Sequence, residues 1–200
     1  MPKRHASAKS LTPADLGYRM PAEWEPHEAT WLGWPHEVTD WPGKFPAIPW
    51  AYGEIVRLLS AVERVYLLVE NRDAETRVRA ILKKAGANLA AVDFFHVPTD
   101  RGWMRDSGPI CVSHQDGKVG LNHFVFNGWA KYPNHKKDAQ VVARANRQLK
   151  LHVWGPEHKD RRVVLEGGSI DVNGRGTLLT TEECLLSKTQ ERNPGFTRQD

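Results

Sequence analysis

Two stretches of the chain, 60 residues apart, carry one pattern: DSGPICV from Asp106 and EGGSIDV from Glu166. Each opens on an acid, with Gly two positions on (Gly108, Gly168), Ile four on (Ile110, Ile170) and Val six on (Val112, Val172). Each then runs into a hairpin signal, Asp116-Gly117 in the first copy and Asn173-Gly174 in the second. Both dipeptides tolerate the positive φ that a tight hairpin turn needs. A unit that recurs with its acid at the same end predicts an internal structural repeat. Units packed around a pseudo-symmetry axis bring equivalent strand ends together, so Asp106 and Glu166 are predicted to face one pocket.

The rest of the chain reads as alternating elements. ATWLGWP (29 to 35) predicts a short strand followed by a Pro- and Trp-rich loop to about Pro49. Ile55, Leu58, Leu59 and Val62 fall at helical spacing, which predicts an amphipathic helix over 49 to 63. RVYLLVE (64 to 70) is a continuous apolar run, as in a strand covered on both faces. Asp73 offers an N-cap to a second helix, whose apolar face is Val78, Ile81, Leu82 and Ala85 and which Gly86 closes. A strand follows within 87 to 98, then the first hairpin, a polar loop (127 to 137), a helix from Asp138 to Leu149 and the second hairpin. Helices alternate with strands while hairpins intervene, so an α/β fold with mixed sheets is expected.

Composition narrows the class. A 200-residue chain with 40% hydrophobic and 26% charged residues can bury one core and has no apolar run of membrane-spanning length. No membrane partner is expected. The first 19 residues lack the apolar run of a secretory signal, so a flexible tail and a cytoplasmic location are the expectations. The net charge of +4 comes from basic residues scattered among acids, without the concentrated patch of a nucleic-acid surface. Cys111 and Cys184 are the two cysteines, both in apolar sequence, which speaks against a disulfide framework. No Cys-x-x-Cys or His-x-x-x-His spacing supports zinc, so no metal is expected.

Two converging carboxylates admit several chemistries. They can work as acid and base on a sugar, bind a divalent cation through oxygen, or hold a cationic substrate beside an aromatic face. Trp103, three residues before Asp106, supplies such a face. The plain structural alternative gives Asp106 to a turn with Ser107 and Gly108, and leaves Glu166 on the surface before a Gly-Gly bend.

MPAEWEPHEATWLGWPHEVTDW (20 to 41), WMRDSGP (103 to 109), FNGWA (126 to 130), and LEGGSIDVNGRGTLLTTEECLL with RNP (165 to 194) resemble the agmatine deiminase and bacterial peptidylarginine deiminase family. The resemblance runs in register from Met20 to about Pro194. It implies a pentein-type α/β propeller built of ββαβ repeats around a central active site. It also implies hydrolysis of a guanidinium, in agmatine or an arginine-like group, to a ureido product and ammonia, without metal or organic cofactor, in polyamine (putrescine) biosynthesis. In that reaction a cysteine thiolate attacks the guanidinium carbon, acids hold its nitrogens and a histidine moves protons. By the resemblance Asp106 clamps the guanidinium, Glu166 orients the catalytic machinery, Trp103 lines the substrate pocket and Trp41 stands at its entrance. Trp31, Trp34, Trp50 and Trp154 are expected in the core.

The sequence departs from the family pattern in one respect. The family's histidine and second clamping aspartate lie in a Gly-His-x-Asp motif, and its nucleophile in Gly-Gly-Asn-x-His-Cys. Neither motif occurs here. Neither Cys111 nor Cys184 has the Gly-rich, His-adjacent setting that activates a thiol. Residues 20 to 200 are therefore expected to form a partial deiminase domain, about half the propeller, truncated or incomplete and inactive by itself. A homo-oligomer or pairing with a C-terminal half follows as the expected assembly. The other expectation left open is a non-catalytic module that binds a cationic ligand or a partner chain.

Overall fold

The computed structural model describes residues 11–200. Three α/β layers follow one another along the chain. β1 (Tyr18–Arg19) leads to β2 (Ala29–Gly33), α1 (Ile48–Leu59), β3 (Arg64–Val69), α2 (Arg72–Ala85) and β4 (Val92–His96). β2, β3 and β4 form a wholly parallel sheet in the order β2-β3-β4, with Trp31 opposite Tyr66 and Leu67 opposite Phe94. β3 is the central strand and is apolar on both faces. Val65, Leu67 and Val69 pack with Val56 of α1 and Val78 and Leu82 of α2, while Leu68 turns to the other side. Two-sided burial is why this strand carries a run of apolar residues and not an alternation.

The second layer starts at α3 (Met104–Ser107), then β5 (Ile110–His114), β6 (Val119–Asn122), α4 (Val141–Leu149) and β7 (His152–Trp154). Its four-stranded sheet runs β1-β5-β6-β7. The hairpin and β1 are antiparallel to β5, and β7 is parallel to β6 after the α4 crossover. Val141 and Ala145 of α4 join Leu68, Phe95, Val97 and Met104 in one core cluster. α4 therefore covers the second face of the parallel sheet and welds the two layers together.

β8 (Glu157–His158) and β9 (Arg161–Arg162) form a small hairpin. A 3-10 turn at Gly167–Ser169 precedes β10 (Ile170–Val172), which pairs with β11 (Leu178–Thr180), and α5 (Glu182–Leu186) follows. No helix among the described residues is long and apolar enough to cross a membrane.

Several expectations need correction. The flexible tail over 1–19 fails at its far end: Tyr18 and Arg19 pair with His114 and Ser113, and Arg19 bonds Glu25 and the Gly174 carbonyl. The first ten residues lie outside the described part. α1 ends at Leu59, so Val62 is exposed, as are Ile55 and Leu58; Gly53 and Val56 face the core instead. α2 is capped by Asn71, whose side chain accepts from the Ala74 amide, not by Asp73. Trp50 is 52% exposed at the start of α1, while Trp31 packs edge-on against Tyr66 and Trp34 and Trp154 are half-buried. At the hairpin turns only the glycines, Gly117 and Gly174 with Gly176, take positive φ. Asp116 and Asn173 instead bind the loop amides with their side chains.

Candidate functional site

The two acids of the repeat meet where the second and third layers touch. Each sits at a helical turn that leads into its strand: Asp106 lies inside α3, and Glu166 is the N-cap residue of the 3-10 turn before β10. Met104 is buried in the core cluster shared by the two layers, which anchors α3 and sets the direction of Asp106 two positions on. Asp106 lies within this helical turn, not in a loop turn of its own, and Glu166, at 1% exposure, is the reverse of a surface residue.

The Gly-Gly pair after Glu166 has a direct steric reason. A Cβ on Gly168 would stand 2.3 Å from Asp106 Oδ1, and one on Gly167 would stand 2.6 Å from the Arg105 carbonyl oxygen. Only glycine lets the Glu166 turn lie against the α3 turn this closely. The approach also places the acids within electrostatic reach. Burial raises the Glu166 pKa, the pair with Arg192 opposes the rise, and the Asp106 charge adds to it. Burial likewise raises Asp106, against a hydrogen bond from Trp129 and the charges of Arg105 and Arg192. Two like charges in a partly dry site favour a cation between or beside them.

Arg192 is the counter-charge. Its Nε donates to Glu166 Oε1 at 2.7 Å, and the guanidinium is 6% exposed. Glu166 Oε2 is buried and takes no hydrogen bond from any other described residue. The sequence offered a signal for Arg192 only in the RNP tripeptide.

An aromatic stack stands at the start of α3. Trp103 is the residue before α3 and stacks on Trp41, with ring centroids 5.8 Å apart and planes inclined by 23°. Trp103 Nε1 donates to Asp40 Oδ2 at 3.1 Å, and Asp40 also takes the Arg101 guanidinium, which lies over the Tyr132 ring. Trp103 is 40% exposed, so one face of the stack remains open to solvent. The structure thus brings Trp41 and Trp103 together, with Asp40 and Arg101, unremarked in the sequence, holding them.

In the sequence Asp138 marks only the start of a helix. It is buried and pinned: its Oδ1 accepts from the Asp100 and Arg101 amides, while Asp100 accepts from the Lys137 amide. Burial pushes its pKa up to about 6 despite those amides. This reciprocal clasp fixes the loop that carries Arg101 and Trp103. Asp106, His123 and Asp138 line one narrow cleft under that loop. Trp129, also unremarked, reaches Asp106 from a left-handed turn in which Gly128, Trp129 and Ala130 all have positive φ.

The thiols have a different setting. Cys111 lies on β5 between the buried Ile110 and Val112, and burial alone raises its pKa to about 11. A thiol of that kind is not a nucleophile at neutral pH.

A buried glutamate against a half-buried aspartate, with one internal arginine and a partly exposed aromatic stack, is chemistry suited to a planar cation. The sequence agrees with that class: the chain belongs to the Porphyromonas-type peptidyl-arginine deiminase family, which it matches over residues 19–200. It is 33% identical over 197 residues to the agmatine deiminase of Ectopseudomonas mendocina, covering 96% of this chain and 50% of that protein. It is 35% identical over 193 residues to the agmatine deiminase of Pseudomonas aeruginosa, covering 94% and 49%. Among solved structures, the agmatine deiminase of Enterococcus faecalis superposes with a TM-score of 0.80 at 28% identity, over 96% of this chain and 50% of that one. The chain spans about half the length of the curated relatives it matches.

Proposed function

We propose that this chain supplies the guanidinium-holding half of a deiminase that hydrolyses agmatine, or a related arginine-like guanidinium, to the ureido product and ammonia. One observation carries the reading. Buried Glu166 and half-buried Asp106 repel each other and share one buried cation, Arg192. Arg105, the other cation acting on Asp106, is exposed and paired with Glu23, so a substrate guanidinium is the charge that would complete the centre. A carboxylate holds guanidinium N–H groups in a plane, which orients the carbon for attack from above or below. Asp106 is the clamp in this reading, Glu166 orients the reacting groups, and Trp103 with Trp41 forms the wall along which the substrate enters.

The covalent step needs a thiolate and a proton-moving histidine. The raised pKa of Cys111 argues that it is not that thiolate, and the acids alone cannot replace it. The same reading makes the α/β layers blades of a pentein propeller, in a cytoplasmic enzyme whose product leads toward putrescine. It expects the 200-residue chain to bind without turnover. Calorimetry with agmatine tests this on the wild-type chain and Asp106→Asn. Binding in the first that is lost in the second supports the reading, whereas equal heats in both, or none in either, would sink it. Ammonia released by the pure chain would overturn the inactivity.

A second reading has its own observation. β10 and β11 pair only with each other among the described residues, and Leu178 and Leu179 are exposed. Such an edge suits pairing with another chain. Light scattering over a concentration series separates a self-associating chain from a monomer.

A further inference from the structure

RNP, at 192 to 194, enters the guanidinium reading only through the counter-charge of Arg192. Its three residues make a connected set of contacts. Asn193 docks on Val164, an isolated bridge residue two positions before Glu166, in both directions: its Oδ1 accepts from the Val164 amide at 2.9 Å, and its Nδ2 donates to the Val164 carbonyl at 2.8 Å. A side chain that satisfies both backbone groups of one residue fixes position and rotation together. The Pro194 carbonyl takes Arg161 Nη1 at 3.1 Å, which ties the end of the tripeptide to β9.

Arg192 is thereby delivered to Glu166 from a fixed point. Its Nε donates to Oε1 at 2.7 Å, and its Nη1 is occupied by the Gln190 carbonyl, also at 2.7 Å. The guanidinium does not close over both carboxylate oxygens in the usual fork-to-fork manner. One oxygen is held and the other, Oε2, stays buried without a bond from another described residue. An arginine placed only for stability would gain more from a bidentate pair. A one-oxygen grip keeps the acid ionised and leaves it an acceptor.

We propose that Arg192, held by the Asn193 clip, is a positioning residue that keeps Glu166 charged and presents its second oxygen to the acid centre. The role rests on the reading of Asp106 and Glu166 as a substrate-holding pair. It acts through Glu166 and touches no substrate itself. It assigns RNP a purpose: the clip sets the place, and the arginine sets the charge.

The test is the titration of the Glu166 side-chain carboxyl, followed by carbon NMR in the whole 200-residue chain. An opposite charge at hydrogen-bond distance lowers a carboxylate pKa by about 1–3 units. Arg192→Met is expected to move the Glu166 midpoint up by about one pH unit or more. Arg192→Lys is expected to restore most of the shift, since a charge returns without the planar fork. Asn193→Ala, which leaves the arginine in place but unclipped, covers the case in which Arg192→Met does not fold. It is expected to move the midpoint in the same direction and by less. A midpoint that stays put in Arg192→Met, or in Asn193→Ala where Arg192→Met does not fold, with or without lowered thermal stability, overturns the proposal, because loss of packing alone does not move a titration. Agmatine calorimetry on the wild type keeps the two ideas apart. Absent binding with an intact titration shift removes the substrate reading and leaves the arginine–glutamate coupling. Normal binding with no titration shift removes the coupling and leaves the substrate reading.

Discussion

The first copy of the acid-turn-hairpin unit is finished and the second is open. β5 and β6 are flanked by β1 on one side and β7 on the other. Ile110, Val112 and Leu121 are buried within that sheet. β10 and β11 have no strand on either edge among the described residues, and Leu178 and Leu179 are 52% and 66% exposed. Local structure is alike in both: an acid in or just before a helical turn, a three- to five-residue strand and a Gly-containing loop. The difference teaches that the repeated sequence specifies the unit but not its environment. Burial depends on which strands arrive from elsewhere.

The largest test of that contrast is Leu121→Ala. Leu121 is 1% exposed, so the substitution should cost about 2–5 kcal/mol in urea unfolding. A cost near zero would mean the first copy is not the packed one.

Next comes pH. Asp138 holds the site loop of the finished copy, and its folded pKa of about 6 exceeds the usual carboxylate value. The fold therefore favours the protonated form. The associated stability is present below about pH 4 and lost as pH rises to about 6, on the order of 2–3 kcal/mol. Raised values at Asp106 and Glu166 act in the same direction. Thermal melts of the wild type should fall across that window, and Asp138→Asn should flatten the fall. An unchanged slope in the variant would show that Asp138 is solvated in solution.

Gly168→Ala probes the seam between the copies. The new methyl overlaps Asp106 Oδ1, so about 1–2 kcal/mol of destabilisation is expected, together with weaker agmatine binding by calorimetry. Full binding would show that the two turns can part without harm. The smallest effect belongs to the open copy. Leu179→Ala should lie within about 0.5 kcal/mol of wild type, and amides of β10 and β11 should exchange faster than those of β5 and β6. A large loss at Leu179 would reveal a partner surface already in place.

Much of this organisation was legible beforehand because it rests on local rules. The apolar run of β3, the Gly86 stop of α2 and the Asp138–Leu149 helical region follow from periodicity and capping. The acids were legible because they recur at one offset from a strand, and Trp103 because it stands in the same motif. α1 shows where such reading fails: its most apolar stripe, Ile55 and Leu58, is exposed, since α2 packs against the side that has Gly53 and Val56. Asp40, Arg101, Trp129 and Arg192 were not legible as a set, as their contacts span 23 to 63 residues of sequence.

By itself the sequence determined the repeating unit, the positions of its two acids and the family to which the chain belongs, because spacing, turn chemistry and glycine placement act over a few residues. Only the tertiary structure decided that Glu166 is buried on an arginine 26 residues further along, that Gly168 is the seat of the Asp106 carboxylate, and that one copy is packed while the other stands open. Those outcomes depend on which surfaces meet, and side-chain periodicity carries no information about the partner on the far side of a contact.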